Sequence, residues 1–580
     1  EMQFDGITPD SVTLTCCLKA CGDIGAFYEG QEMHKKVVEV GLENLQVENT
    51  LISMYAKFGR MVEAQEIFDC MLFHDEVSWT ALISGYTDQG LGQDALTCYE
   101  KMVMTGRTCD AIMLSSVAKA CTCIGDIDEG RKVHTEIILK GFEKVSYAGN
   151  SLIDMYSTCG SLKEACFVFE NLPNRNVVAW TTLIGGYAQH GWYQEALSCL
   201  EKMSLEGVVP NVISFVSLLD ACGNIGAIEK GRKIHIQVVE RGLEEDPSID
   251  ISLMSMYIEC ESLVEALDIF QKMKIKDVIA WSEMIRGYGM NHEGDMAIQC
   301  FEEMVKRGIK PDAITFTCLL NACSHTGHES KAQEYFNRMR EMYDVVPSIE
   351  HYVCMIDILA RSGNTYHAER FFEAQCPASE GTWGALLSAC KTYGEVELGL
   401  RCFDNLCKIV PKDGAWYALM TDILSSAGRL DDAHRVEKIR KHIGAWKKPG
   451  IASIEVNNKV HKFVVGSQYT NEIALKLHSL GLNVKYEGHM PNLNLISRQI
   501  SDMRKETALH EHAEKLAIAF GLISTPQGTT LRVSKNMRMC NDCHSASKLI
   551  SQIEKREIIL KDDCCIHHFK DGLCSCGDLF

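Results

Sequence analysis

Proline is scarce in this chain of 580 residues, at 11, which excludes collagen-like, mucin-like and Pro-linker architectures. No apolar run approaches the roughly 18 residues that a membrane-spanning helix needs, so no membrane partner is expected. Basic charge is also in deficit. The 58 Lys and Arg stand against 78 Asp and Glu, for a net charge of -20. That balance excludes a nucleic-acid binder working by bulk attraction, but not a reader that contacts bases. What is present is ordinary globular composition, 46% hydrophobic and 23% charged, which argues against disorder. The length exceeds one core and implies several domains or one extended repeat array. Cysteine is abundant, at 27. The chain is too long for a disulfide-stapled secreted framework, so the reading is a reducing compartment, with buried thiols in most places and metal ligands in one. Charge is uneven: residues from Lys447 onward sum to +4 and residues 1–446 to -24. Two bodies with different surfaces are expected.

A period of about 101 residues organises the first three quarters. Trp79, Trp180 and Trp281 are 101 residues apart, as are Tyr55, Tyr156 and Tyr257. Cys21, Cys121, Cys222 and Cys323 follow at 100, 101 and 101. Each period splits into three unequal units. Each unit has apolar positions at helical spacing, a Gly, and a second helical stretch. The Gly fits a helix C-cap or turn. A hairpin of this kind cannot bury its apolar face alone, but stacked hairpins can. The recurring Trp, Tyr and Cys are read as core. The opening EMQFDGITPD matches the end of a third unit, so residues 1–10 read as the end of a truncated repeat.

Composition shifts near Lys447. Alternating β-type stretches follow Pro449-Gly450. Then come His512-Ala513-Glu514 at the start of an apolar helical run, Cys540 and Cys543 entering another, and His567, His568, Cys574 and Cys576 near the end. Alone, CxxC suits zinc or redox work and HxE says little. Together they match the zinc nucleobase deaminase signature. His512, Cys540 and Cys543 are assigned as ligands of a catalytic zinc with one position left for water. Glu514 is assigned as the proton shuttle. Cys574, Cys576, His544 and a His of the HHF stretch, with His567 preferred over His568, complete a second, closed and therefore structural zinc site. Cys564 and Cys565 read as decoys or buried thiols, and His510 as an alternative ligand outside the HxE spacing.

The motifs NTLISMY, VSWTALISGY and EKMVMTGRTCD and their counterparts one period on resemble the pentatricopeptide repeat family, in its plant form with alternating long, short and standard units. The resemblance places units at 11–44, 45–75, 76–110, 111–145, 146–176, 177–211, 212–246, 247–277, 278–312, 313–348 and 349–379. Two degenerate extension hairpins follow at about 380–413 and 414–446. The region 447–580 resembles the DYW deaminase domain of plant organelle RNA editing factors. The ending CSCGDLF has Leu579 and Phe580 where that family has Tyr and Trp. Ala452-Ser453 stands where the Pro-Gly box usually continues with Ser-Trp, and Ser467, Thr470 and Asn471 replace Asp, His and Pro.

The resemblance implies one base of single-stranded RNA per repeat, read by the fifth residue of the first helix and the last residue of the unit. The pairs are Asn49 with Asp75, Thr80 with Asp110, Asn150 with Asn176, Thr181 with Asn211, and Ser282 with Asp312. Ile251 and Val353 break the pattern. The competing reading is that these residues are helix caps. The expected fold is therefore an all-α solenoid of helix–turn–helix repeats followed by a smaller α/β zinc deaminase domain with two Zn2+ sites. The expected function is site-specific C-to-U editing of an organellar transcript in mitochondrion or chloroplast, with other editing factors as further partners. The resemblance also implies that an N-terminal targeting segment lies outside this chain. The alternatives are a non-catalytic specificity factor and a helical-repeat scaffold for protein partners.

Overall fold

The computed structural model describes residues 9–363, 365–446, 449–466, 468–488 and 511–577. The expectations on residues 1–8, His510, Ser467, Leu579 and Phe580 lie outside the described residues. Among the described residues there are 29 helices and six strands. None of these helices is long and apolar enough to cross a membrane. The chain divides into two compact units, residues 1–217 and 218–580.

Among its described residues the first unit is built of antiparallel helix pairs, beginning with Ser11–Ile24 and Phe27–Val40 and running to Val177–Gln189 and Tyr193–Leu205. The first helix of most pairs starts on an Asp or Asn whose side chain accepts from the backbone N–H three residues on, satisfying a donor the helix leaves unpaired. Gly25 and Gly125 end helices in the left-handed region at φ 72° and 69°, where a side chain would be strained. Gly92 is needed for space instead. A Cβ there would lie 2.6 Å from the Ala120 carbonyl oxygen and 2.9 Å from Ile124.

The 101-residue repeat is a repeat of contacts. Trp79, Trp180 and Trp281 are buried and meet Phe68, Phe169 and Phe270 edge-on, with ring centroids 4.7, 4.6 and 4.9 Å apart, the arrangement aromatic quadrupoles favour. Tyr55, Tyr156 and Tyr257 each place their hydroxyl 2.9 Å from a histidine Nδ1, of His34, His134 and His235. Burial lowers the pKa of all three imidazoles. Cys21, Cys121, Cys222 and Cys323 are buried free thiols.

The second unit opens with further hairpins, from Ile228–Glu240 to Leu430–His442, and closes with a mixed sheet. Its strands are β1 (Ile451–Val456), β2 (Lys459–Val464), β3 (Leu531–Lys535), β4 (Ile558–Lys561), β5 (Ile566–Lys570) and β6 (Leu573–Cys574), in the order β2-β1-β3-β4-β5-β6. β1 and β2 are joined by Asn457-Asn458, both at positive φ (53° and 59°), as a two-residue hairpin turn requires. β3 and β4 are parallel because the helix Asn541–Ile553 carries the chain back between them. That helix, Ala513–Ser524 and Asn471–Tyr486 cover a core including Leu516, Val533, Ile550, Leu560 and Phe569.

The sheet is anchored on the hairpins of its own unit through their turns. Arg532 donates to the carbonyls of Cys260 (2.9 Å) and Glu261 (3.2 Å) and pairs with the Glu261 carboxylate at 3.3 Å. Ser453 and Ser534 donate to the carbonyls of Ile225 and Asn224. Glu455 accepts from the Glu229 N–H, and Lys561 pairs with Glu259.

Overpacking the glycine that lies closest to a neighbouring backbone atom gives a direct test of hairpin stacking. Gly92→Val should cost about 1–3 kcal/mol, read as a lowered thermal midpoint in circular dichroism.

Candidate functional site

Two helix N-termini converge at the first cysteine-histidine cluster. His512 is the N-cap residue of Ala513–Ser524 and Cys540 that of Asn541–Ile553, with Cys543 in the latter's first turn. The partial positive charge of a helix start favours thiolates there. His512 Nδ1 lies 3.3 Å from Cys543 Sγ and 3.6 Å from Cys540 Sγ. Ligands tetrahedrally arranged about zinc stand roughly 3.3–3.8 Å apart, so the three donors are spaced for that ion. Glu514 joins them, with all four ligand atoms within 4.8 Å of one another. Hydrogen bonding from Cys543, together with His512, holds the Cys540 thiol well below its ordinary pKa, against its burial.

Glu514 is 1% exposed. Its carboxylate accepts from Lys535 Nζ at 2.6 Å, and Lys515 Nζ donates to Asp542 at 2.6 Å. All four groups are buried. Burial, the largest single influence, would raise the Glu514 carboxyl, but Lys535 and His512 together outweigh it and leave the pKa below the ordinary value. Burial likewise works against the charge on Lys535, and Glu514 reverses that. Sequence reasoning missed Lys535, Lys515 and Asp542. Lys535 reaches the site from the end of β3, a juxtaposition that no local spacing reveals.

The second cluster holds His544, His567, Cys574 and Cys576. His544 Nε2 is 3.2 Å from Cys576 Sγ, and His567 Nδ1 is 3.6 Å from Cys574 Sγ. Strand alternation separates the two adjacent histidines. His567 shares the buried face of β5 with Phe569, whereas His568 turns outward and meets Glu557 at 2.6 Å. Because His544 follows Cys543, one helix turn serves both clusters.

Two of the five repeat pairs matched by position also meet. In the first unit Asn49 Nδ2 donates to Asp75 Oδ1 at 3.2 Å, and Thr181 Oγ1 lies 3.4 Å from Asn211 Oδ1. Asp75, Asp110 and Asn176 each cap the next helix with Oδ1, and Asn211 accepts from Ser214 N–H in the same way. Capping takes one end of each side chain and leaves the other. The Oδ1 atoms of Asn49 and Asn150 are buried with no hydrogen-bond partner, an arrangement that costs free energy unless something supplies a donor. Asn49, Asp75, Thr80 and Asp110 line one cavity of about 710 Å³ with Lys19 and Lys57. In the second unit Asp312 caps its helix, while Ser282 is buried and bonded to Val278 and Thr315.

Comparison with known proteins agrees with this layout. Residues 488–580 match the DYW family of nucleic acid deaminases, and residues 393–455 the E motif. Six segments from 49–75 to 350–374 match the PPR repeat, and 175–224 and 276–325 the PPR repeat family. The chain is 38% identical to the pentatricopeptide repeat-containing protein At1g08070, chloroplastic, of Arabidopsis thaliana, over 99% of this chain and 82% of that one. It is 37% identical to At4g33990 of the same plant, over 98% of this chain and 70% of that one. The Arabidopsis protein CRR2, chloroplastic, is 33% identical over 98% and 89%. Among solved structures, maize PPR10 aligns over 76% of each chain at a TM-score of 0.42 and 18% identity. The chain belongs to the pentatricopeptide repeat family, as a plant PLS-class member carrying an E motif and a DYW-type deaminase domain.

Proposed function

We propose that this protein is an organellar RNA editing factor that reads single-stranded RNA with its repeats and converts one cytidine to uridine. The observation that carries the catalytic half is a buried Glu514 beside three donors spaced for zinc, because a purely structural site has no use for a buried carboxylate. His512, Cys540 and Cys543 would hold the catalytic ion, and His544, His567, Cys574 and Cys576 the structural one. Zinc, when bound in the first site, supplies the activation of water at neutral pH. Glu514 takes a proton from the attacking water and delivers protons to the cytosine ring nitrogen and the departing amine, so cytosine and water become uracil and ammonia. Lys535 keeps the Glu514 carboxylate ionised and aimed.

The reading half rests on the orphaned acceptors of Asn49 and Asn150 and on the cavity that gathers two reading pairs. A base edge with a donor group satisfies such an acceptor. By the family's pairings Asn with Asp takes U, Thr or Ser with Asp takes G, Thr with Asn takes A, and Asn with Asn takes a pyrimidine. Repeats run parallel to the RNA, with the last short repeat, 349–379, about four nucleotides upstream of the edited C. The target then reads 5′ U-G-n-Y-A-n-n-G-n-n-n-n-n-C. Ser282 is buried, so the second G rests on Asp312. The chloroplastic relatives support an organelle, mitochondrion or chloroplast, as the compartment.

The alternative of a specificity factor serving another deaminase parts from this reading in the test tube. Purified Glu514→Ala should keep its zinc and its RNA affinity and lose conversion of C to U in a primer-extension assay. Conversion at the wild-type rate would reject the catalytic assignment. Elemental analysis should show one zinc fewer in Cys540→Ala and, separately, in Cys574→Ala, because each removes a ligand of a different ion. Thr181→Asn with Asn211→Asp should move preference at one position from A to U, at about 1–3 kcal/mol per good contact. Uniform weakening across all sequences in a binding selection would reject the register.

A further inference from the structure

One further cluster of metal-binding side chains extends beyond the two sites and shares His567 with the second. Cys565 lies just before β5, at the end of the turn that leaves β4. Its thiol is 3.4 Å from His567 Nε2. His292 comes from the turn between the helices Val278–Met290 and Gly294–Lys306, and its ligand nitrogen lies within 4.8 Å of both. The Asp562 carboxylate approaches the same His567 nitrogen at 3.6 Å. Cys565, Asp562 and His567 are 2%, 1% and 0% exposed.

We propose that His292, Cys565 and His567 form a third zinc site, with Asp562 as an outer contact of His567, and that this site pins the hairpin 278–312 to the deaminase sheet. The proposal rests on the zinc reading of the second cluster, because His567 is shared. Its Nδ1 faces Cys574 and its Nε2 faces Cys565 and Asp562, so its deprotonated ring bridges two ions.

The donor chemistry fits. The 3.4 Å between Cys565 Sγ and His567 Nε2 falls within the roughly 3.3–3.8 Å edges of a tetrahedral zinc site, and the His292 ligand nitrogen lies within 4.8 Å of both. A thiolate and a shared imidazolate offset most of the ion's charge, and borderline-soft nitrogen and sulfur donors select zinc over magnesium or calcium. Outer contacts orient the ligands as metal sites require. Asp562 Oδ1 accepts from the Cys564 and Cys565 N–H groups, and Oδ2 from that of Met539, at 2.8, 3.0 and 2.9 Å. His292 Nδ1 reaches the His325 carbonyl at 3.4 Å, and Nε2 the Ile566 carbonyl at 3.1 Å. On metal binding Nε2 exchanges its bond to Ile566, the residue after Cys565, for the ion, while Nδ1–H stays on His325.

The site crosses between parts of the chain that are far apart in sequence, so it couples the seating of the deaminase to metal supply. His292 sits at φ 60°, a conformation that asparagine tolerates, so His292→Asn removes the ligand and keeps the turn.

The test is zinc stoichiometry of the full-length protein after gel filtration from zinc-containing buffer. Wild type should carry three zinc ions, His292→Asn and Cys565→Ser two each, and His567→Ala one. Hydrogen exchange should show faster exchange at 278–312 in the two-zinc variants. Two zinc ions in wild type, with no loss in His292→Asn or Cys565→Ser, would overturn the third site. In that case a continued loss in Cys540→Ala and in Cys574→Ala would leave the two-zinc reading standing. Loss of zinc from none of these variants would overturn both.

Discussion

A helix hairpin with apolar residues on both sides has no stable existence until something covers those sides, and the molecule follows from that constraint. Stacking covers them. Each covered side must then be filled in the same way at the same height, which is why Trp meets Phe, and Tyr meets His, once per 101 residues. Aromatic pairs and hydroxyl–imidazole bonds fix which hairpin face meets which. Residues such as Gly92, with a neighbouring carbonyl 2.6 Å from where a Cβ would lie, set how closely the faces approach. The sheet at the C-terminal end uses the same surface differently. It grips exposed carbonyls in the hairpin turns with Arg532, Ser453 and Ser534, groups that helix geometry leaves without partners.

The deaminase centre solves the problem of buried charge. A carboxylate 1% exposed would ordinarily protonate. Lys535 prevents this, and the thiol-bearing helix starts contribute positive potential from the backbone. Lys515 and Asp542 form a second buried pair beside the first. Such pairs seldom add much net stability, but they fix where charges sit, which proton transfer needs.

Periodic features were open to inspection in the sequence because stacking forces them to recur. The hairpins, the core role of the Trp and Cys series, and the glycine caps follow from phase alone. His512, Glu514, Cys540 and Cys543 were legible for another reason: three candidate ligands and a candidate shuttle, two residues at each of two helix starts, have short, fixed spacings. The choice between His567 and His568 lay in the alternation of IHHFK, where Phe569 marks the inward parity. Lys535 at Glu514, Arg532 at Glu261 and His292 beside Cys565 were hidden. Each is a contact between residues far apart in the chain with no repeat to announce it. The cap reading does not exclude the proposed base reading of the repeat pairs, since Asp75, Asp110 and Asn176 cap with one atom and keep another.

Under the proposed reading, that double use limits how such a protein can change. A position that closes each helix admits only the few side chains that cap well, and Asp and Asn cap about equally. Exchanging one for the other swaps an acceptor for a donor at the free end while the helix start stays intact. Specificity can therefore drift from one base to another along a path that is nearly neutral for folding. A step to alanine would cost roughly 1 kcal/mol of helix start and gain no new base. The alphabet of such a lineage is small because it is written in the residues that hold the helices together, and for the same reason it can be rewritten without loss of the fold.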